Sequence, residues 1–104
     1  VSRSSGVDQE WLAAHLNEAP DALRERVREL VAETGPGESR AGSLSLAAMT
    51  ALRRVIQHPG DRTIALDLLA ADGLITLALL AQAESDPERL EAFAADLLAA
   101  PYRP

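Results

Sequence analysis

Apolar residues recur along most of this chain at intervals of three and four, the spacing that lines one face of a helix. The clearest case is Leu23, Val27, Leu30 and Val31 at i, i+4, i+7 and i+8, which predicts an amphipathic helix over residues 21–33. Its other face carries Arg24, Glu25, Arg26, Arg28, Glu29 and Glu33, with opposite charges three or four positions apart. Pairs of this kind contribute about 0.2–0.5 kcal/mol each on a solvated helix face, so Arg26→Ala is expected to leave stability nearly unchanged. A second stripe, Leu90, Phe93, Ala94, Leu97 and Leu98, predicts a last helix that ends before Pro101. Between these two, Leu44, Ala48, Met49, Leu52, Val55 and Ile56 form the core side of a helix whose polar stripe is Thr50, Arg53, Arg54 and Gln57.

Residues 62–84 break the pattern, because their apolar side chains fall on every side of the helical wheel. A helix that is hydrophobic all round belongs inside a protein or a membrane. A membrane span needs roughly 20 consecutive apolar residues, and here Asp67 and Asp72 interrupt the run. Each costs roughly 2.5–3.5 kcal/mol near a bilayer centre. The flanks also lack an aromatic belt and a cluster of positive charge. Asp72-Gly73 is a hairpin-turn signal as well, but its Leu- and Ala-rich flanks do not alternate apolar with polar and favour one long helix, with Gly73 a candidate kink. The expectation is a core helix that receives the stripes of the others, with Leu69 and Leu77 among the residues it buries.

Local signals mark the ends of the elements. Residues 1–6 read as a disordered lead-in, and a short first helix is expected from near Ser5 through Trp11, Leu12 and Leu16, with Val7, Trp11 and Ala14 on one face. Trp11 is read as the anchor of that helix on the bundle. Pro20 suits the first turn of the second helix, and Thr34-Gly35-Pro36-Gly37 closes it into a polar loop reaching Gly42. Ser43 or Ser45 would open the third helix, and His58-Pro59-Gly60 stops it at about Gln57. Asp61 is the expected cap of the long helix, and the short connection makes helices three and four antiparallel neighbours. Ser85 with Glu88 three positions later resembles a capping box for the last helix, with Pro87 in its first turn. The fold expected is all-α, a single-domain bundle of about five helices around the central apolar helix at residues 62–84, with residues 7–100 as the domain and 101–104 as a tail.

Composition supports that class and narrows the chemistry. Twenty alanines and seventeen leucines, with aromatics at only 3%, describe a helical protein with an aliphatic core. The chain has no cysteine, which removes disulfides, thiolate metal sites and thiol nucleophiles. Its net charge is −6 and all ten basic residues are arginine, a balance that argues against general affinity for nucleic acid, where binding depends on neutralising phosphates. No amino-terminal stretch joins a basic start to an apolar core, so the cytoplasm is the expected compartment.

Asp67 and Asp72 are the unusual members of the long helix, since an ionised carboxylate is rarely buried without a partner. Five residues apart, they lie about 140° round the wheel from one another, which disfavours a shared metal or an acid–base pair. Each is expected to meet an arginine such as Arg53, Arg54 or Arg62, or to emerge at the rim. Neither His15 nor His58 has a glutamate three positions before it, and no His-Glu-x-x-His, Gly-rich phosphate loop or Gly-x-Ser-x-Gly elbow is present. No cofactor or metal is implied.

Two local likenesses bear on function. Gly42-Ser43-Leu44 faintly resembles the serine that carries phosphopantetheine in carrier proteins, but the helix that follows bears Arg53 and Arg54 where that family places an acidic recognition helix. Leu52-Arg53-Arg54-Val55-Ile56-Gln57-His58 resembles the Arg-x4-His signature of HEPN-type ribonucleases, small all-helical domains that act as dimers and pair with a nucleotidyltransferase-like antitoxin. The resemblance implies that Arg53 contacts the phosphate and that His58 transfers a proton to or from the ribose hydroxyl, roles that suit a guanidinium and an imidazole. Against it stands a bland reading in which His58 ends helix three and the arginines are a solvated face. The leading expectation is a non-enzymatic helical protein that acts by protein–protein contact as a homodimer, because helices four and five carry more Leu and Ala surface than a small monomer can cover.

Overall fold

The structure is a computed structural model and describes residues 7–102. In chain order it contains α1 (Gln9–Leu16), α2 (Asp21–Thr34), α3 (Arg40–Gln57), α4 (Ile64–Ser85), a 3-10 turn at Pro87–Arg89, α5 (Leu90–Ala99) and a second 3-10 turn at Ala100–Tyr102. No strand occurs among the described residues, and the helices pack against α4 in an all-α bundle. At 22 residues α4 is about 33 Å long, close to the 38 Å longest extent of the molecule. The helix is unbroken through Asp72 and Gly73, which removes the hairpin alternative.

Caps explain where the helices begin, and several lie away from the positions expected. The lead-in, with the expected Ser5 cap, lies outside the described residues. Within them, Asp8 caps α1, its carboxylate accepting from the Glu10 N–H at 2.9 Å. Pro20 precedes α2 instead of sitting in its first turn, and its carbonyl accepts from the Arg24 N–H at 2.9 Å. α3 starts at Arg40, earlier than either Ser43 or Ser45, because Ser39 accepts from the Gly42 N–H at 3.0 Å. The polar Arg40 and Gly42 hide this first turn from a search for apolar periodicity. Gly37 presses against that turn: a Cβ there would lie 3.0 Å from backbone atoms of Gly42 and Ser43. Ser85 closes α4 and does not cap α5, since its hydroxyl donates back to the Gln82 carbonyl at 3.4 Å. The Pro87–Arg89 turn then separates the two helices. Asp61, expected to cap α4, lies two residues before its N-cap Thr63 and instead ties the entering turn, accepting from both the N–H and the hydroxyl of Thr63 at 3.0 Å.

The core is aliphatic, and its centre is lined by small residues. α3 and α4 share the most extensive interface. Ala47, Ala48 and Ala51 of α3 and Ala70, Ala71 and Ala78 of α4 are all fully buried. Side-chain size at the contact sets the separation of two helices, so alanine on both sides lets them lie close. Val27, Leu30 and Val31 of α2, Leu12 and Leu16 of α1 and Leu97 of α5 complete the core around Leu44 and Leu74. Trp11 is half-buried and fastens α1 to the bundle. Its indole N–H donates to Glu84 of α4 at 3.0 Å, the His15 ring stacks at 4.2 Å between centroids, and the Arg40 guanidinium lies 4.8 Å over the ring.

Three expectations about individual side chains are corrected by the packing. Asp67 is 5% exposed, and its partner is Arg26, whose Nε–H donates to Oδ1 at 2.6 Å, not Arg53, Arg54 or Arg62. Arg26 is accordingly no member of a solvated face: it crosses from α2 to α4 and also reaches Glu29 at 3.0 Å. The hydrogen bond to Asp67 is the main reason its guanidinium holds its proton more tightly than usual. Leu69, expected inside, is 56% exposed, and Leu68 beside it 51%. α4 is long and apolar enough to cross a membrane by length and composition, but its Ala70, Ala71, Leu74, Leu77, Ala78 and Ala81 are buried. α4 is thus central without being enclosed, and one of its faces is uncovered.

Candidate functional site

That uncovered face begins on α3. Leu46 lies on the same side of the helix as Thr50, Arg53 and Gln57, at i, i+4, i+7 and i+11, so it follows the polar stripe outward and is 46% exposed. Ile56, read from the sequence as core, is 66% exposed. With Met49, Leu52 and Arg53, and with Ala100 and Pro101 from the last turn, these side chains line a shallow hollow of about 460 Å³. Leu52 is also one wall of a second hollow, of about 340 Å³, formed with Leu68, Leu69, Ala71, Asp72 and Ile75 of α4. Sharing Leu52 makes the two hollows one surface, running from Ala100 and Pro101 across α3 onto α4.

The α4 half of this surface has a physical origin in the alanine seam. Ala70, Ala71 and Ala78 face the bundle, which rotates Leu68, Leu69, Asp72 and Thr76 to the solvent side, at i, i+1, i+4 and i+8. The signal that could have revealed this was the Asp72–Thr76 pair. These are polar residues one turn apart in a largely apolar helix, and they mark the side on which Leu68 and Leu69 also lie.

The residues singled out by the HEPN resemblance take different places. Arg53 is exposed on the α3 hollow, while His58 is exposed at the end of α3, where its N–H donates to the Arg54 carbonyl at 3.0 Å. Helix geometry sets positions 53 and 58 about 140° apart, and no hydrogen bond joins them among the described residues. Arg54 is engaged with Glu33 of α2 at 2.6 Å. No protein-family model, curated protein or solved structure matches this chain. The chain's own geometry therefore carries the functional reading.

Charge is sparse on the apolar face. Arg53 is the one charged residue lining the first hollow and Asp72 the one lining the second. Among the described residues neither makes an ion pair, whereas Arg24, Arg26, Arg28 and Arg54 all do. No group of three or more His, Cys, Asp or Glu side chains that could hold a metal ion occurs among the described residues. Ser43, the residue behind the carrier-protein likeness, is buried and accepts a hydrogen bond from the Gly37 N–H at 2.7 Å. At the foot of α4 the Asp61 carboxyl is held below the usual carboxylate range, first by the Thr63 N–H and then by its hydroxyl. Ser43 and Asp61 are engaged within the fold, whereas the exposed face is mainly apolar.

Proposed function

We propose that this protein is a non-enzymatic, cytoplasmic helical module that acts by protein–protein contact and self-associates through the α3–α4 face. The observation that carries the reading is the continuity of the two hollows through Leu52, with Leu46, Ile56, Leu68 and Leu69 about half or more bare on the same surface. Contiguous apolar patches of this kind on small proteins mark interaction sites.

Magnitudes indicate how strong the contact is. Burying a Leu or Ile side chain completely is worth about 1.5–3 kcal/mol, so covering the bare half of each of these four is worth about 1 kcal/mol apiece. A symmetric pair doubles that gain, and association costs about 4–15 kcal/mol. The surplus is small. Self-association is therefore weak and depends on concentration.

Light scattering across a concentration series tests the reading. The wild type is expected to rise from 11.1 kDa towards twice that mass, and Leu69→Asp is expected to stay at the monomer mass with its helical spectrum intact. A wild type fixed at the monomer mass at the highest attainable concentration refutes it.

A further inference from the structure

Resting on that reading, we propose that the partner is a second copy of this chain, docked about a two-fold axis near Leu52 and held in register by two reciprocal ion pairs between Arg53 of one copy and Asp72 of the other. A two-fold interface is self-complementary, so whatever residue i meets on the partner, the partner's i must meet in return. The α3–α4 face satisfies this condition with its own parts. Leu52 lies at the boundary of the two hollows. An axis there lays the hollow that contains Arg53 over the hollow that contains Asp72, twice over.

Three observations favour this occupant. Each hollow carries a single charge, and the two charges are opposite. Both side chains lack an ion pair among the described residues, although Arg54, next in sequence, reaches Glu33 at 2.6 Å. The chain has a net charge of −6, so two copies repel one another in general and approach only in an arrangement that sets cation against anion. A register that placed like charges opposite each other would be disfavoured, and charge placement of this type is how an interface rejects wrong dockings.

Charge reversal reads the pairing directly. Arg53→Glu sets carboxylate against carboxylate at both sites of the dimer, and Asp72→Arg sets guanidinium against guanidinium at both. Each variant alone is expected to dimerise at least about tenfold more weakly than the wild type in sedimentation equilibrium. An equimolar mixture of the two is expected to recover dimer, because a copy acidic at both positions meets a copy basic at both positions favourably at each site. The double variant Arg53→Glu with Asp72→Arg is expected to dimerise by itself. Both positions are exposed, and circular dichroism is expected to show unchanged helix content in every variant. Dimerisation insensitive to either reversal, or a mixture that stays monomeric, overturns the pairing while self-association stands. A wild type that never dimerises overturns both.

Discussion

Arg26→Ala removes the ion-pair partner of a carboxylate that the fold has taken out of water. The Asp67 side chain is 6% exposed and its Oδ1 lies 2.6 Å from the Arg26 Nε, in a contact that joins α2 to α4. Breaking a buried pair by deleting one member costs about 3–5 kcal/mol, because the remaining charge is left uncompensated in a poorly polarisable interior. Total stability for a domain of this size is about 5–15 kcal/mol, so the loss is a large part of it. Urea unfolding followed by circular dichroism measures the effect. For a slope of about 2 kcal/mol/M the midpoint should fall by on the order of 2 M. Arg28→Ala is the control: it pairs with exposed Glu25 at 3.8 Å and should cost less than about 1 kcal/mol. Replacing both members together, Arg26→Met with Asp67→Leu, should restore most of the loss, since well-packed apolar residues often substitute for a buried pair without penalty. An Arg26→Ala midpoint equal to that of the Arg28→Ala control would refute the reasoning.

The remaining predictions concern α4 and its start. Leu77→Asp, at a position 7% exposed, should abolish cooperative unfolding, whereas Leu69→Asp should fold and only lose self-association; similar unfolding of both would mean that the α4 face is misassigned. The Asp61 carboxyl titrates below its ordinary value of 3.8 in the folded chain. Its contribution to stability is therefore complete above that pH and lost as pH falls through the folded value. Asp61→Ala should accordingly melt earlier than the wild type at pH 7, with the difference closing in strong acid; a gap independent of pH would exclude this role. RNA incubated with the purified protein should remain intact, and cleavage that disappears in both Arg53→Ala and His58→Ala would replace the non-enzymatic reading with the ribonuclease one.

The helices themselves were legible in the sequence because what makes a helix is local. Leu23, Val27, Leu30 and Val31 announce α2 by their spacing, and Gly35 and Gly60, with φ of 77° and 90°, end helices at turns that side chains disfavour. Starts were less legible, since Ser39, Ser43 and Ser45 are all competent caps, and which one is used depends on how the loop at Gly37 packs onto the first turn of α3. Asp67 could be recognised as needing a partner, but Arg26 lies 41 positions away, and only the crossing of α2 over α4 brings the two together.

The same division applies to the candidate site. Sequence determined that α4 is apolar on nearly every side, and its polar cue is divided. Asp72 and Thr76 mark the bare side, but Asp67, about 140° round the wheel from Asp72, is buried in the bundle, so the sequence alone did not choose between them. The tertiary structure decided it. α3 approaches along the alanines, α2 and α5 occupy other sides, and Leu68, Leu69 and Asp72 remain uncovered beside Leu52 because none of the described helices lies over them.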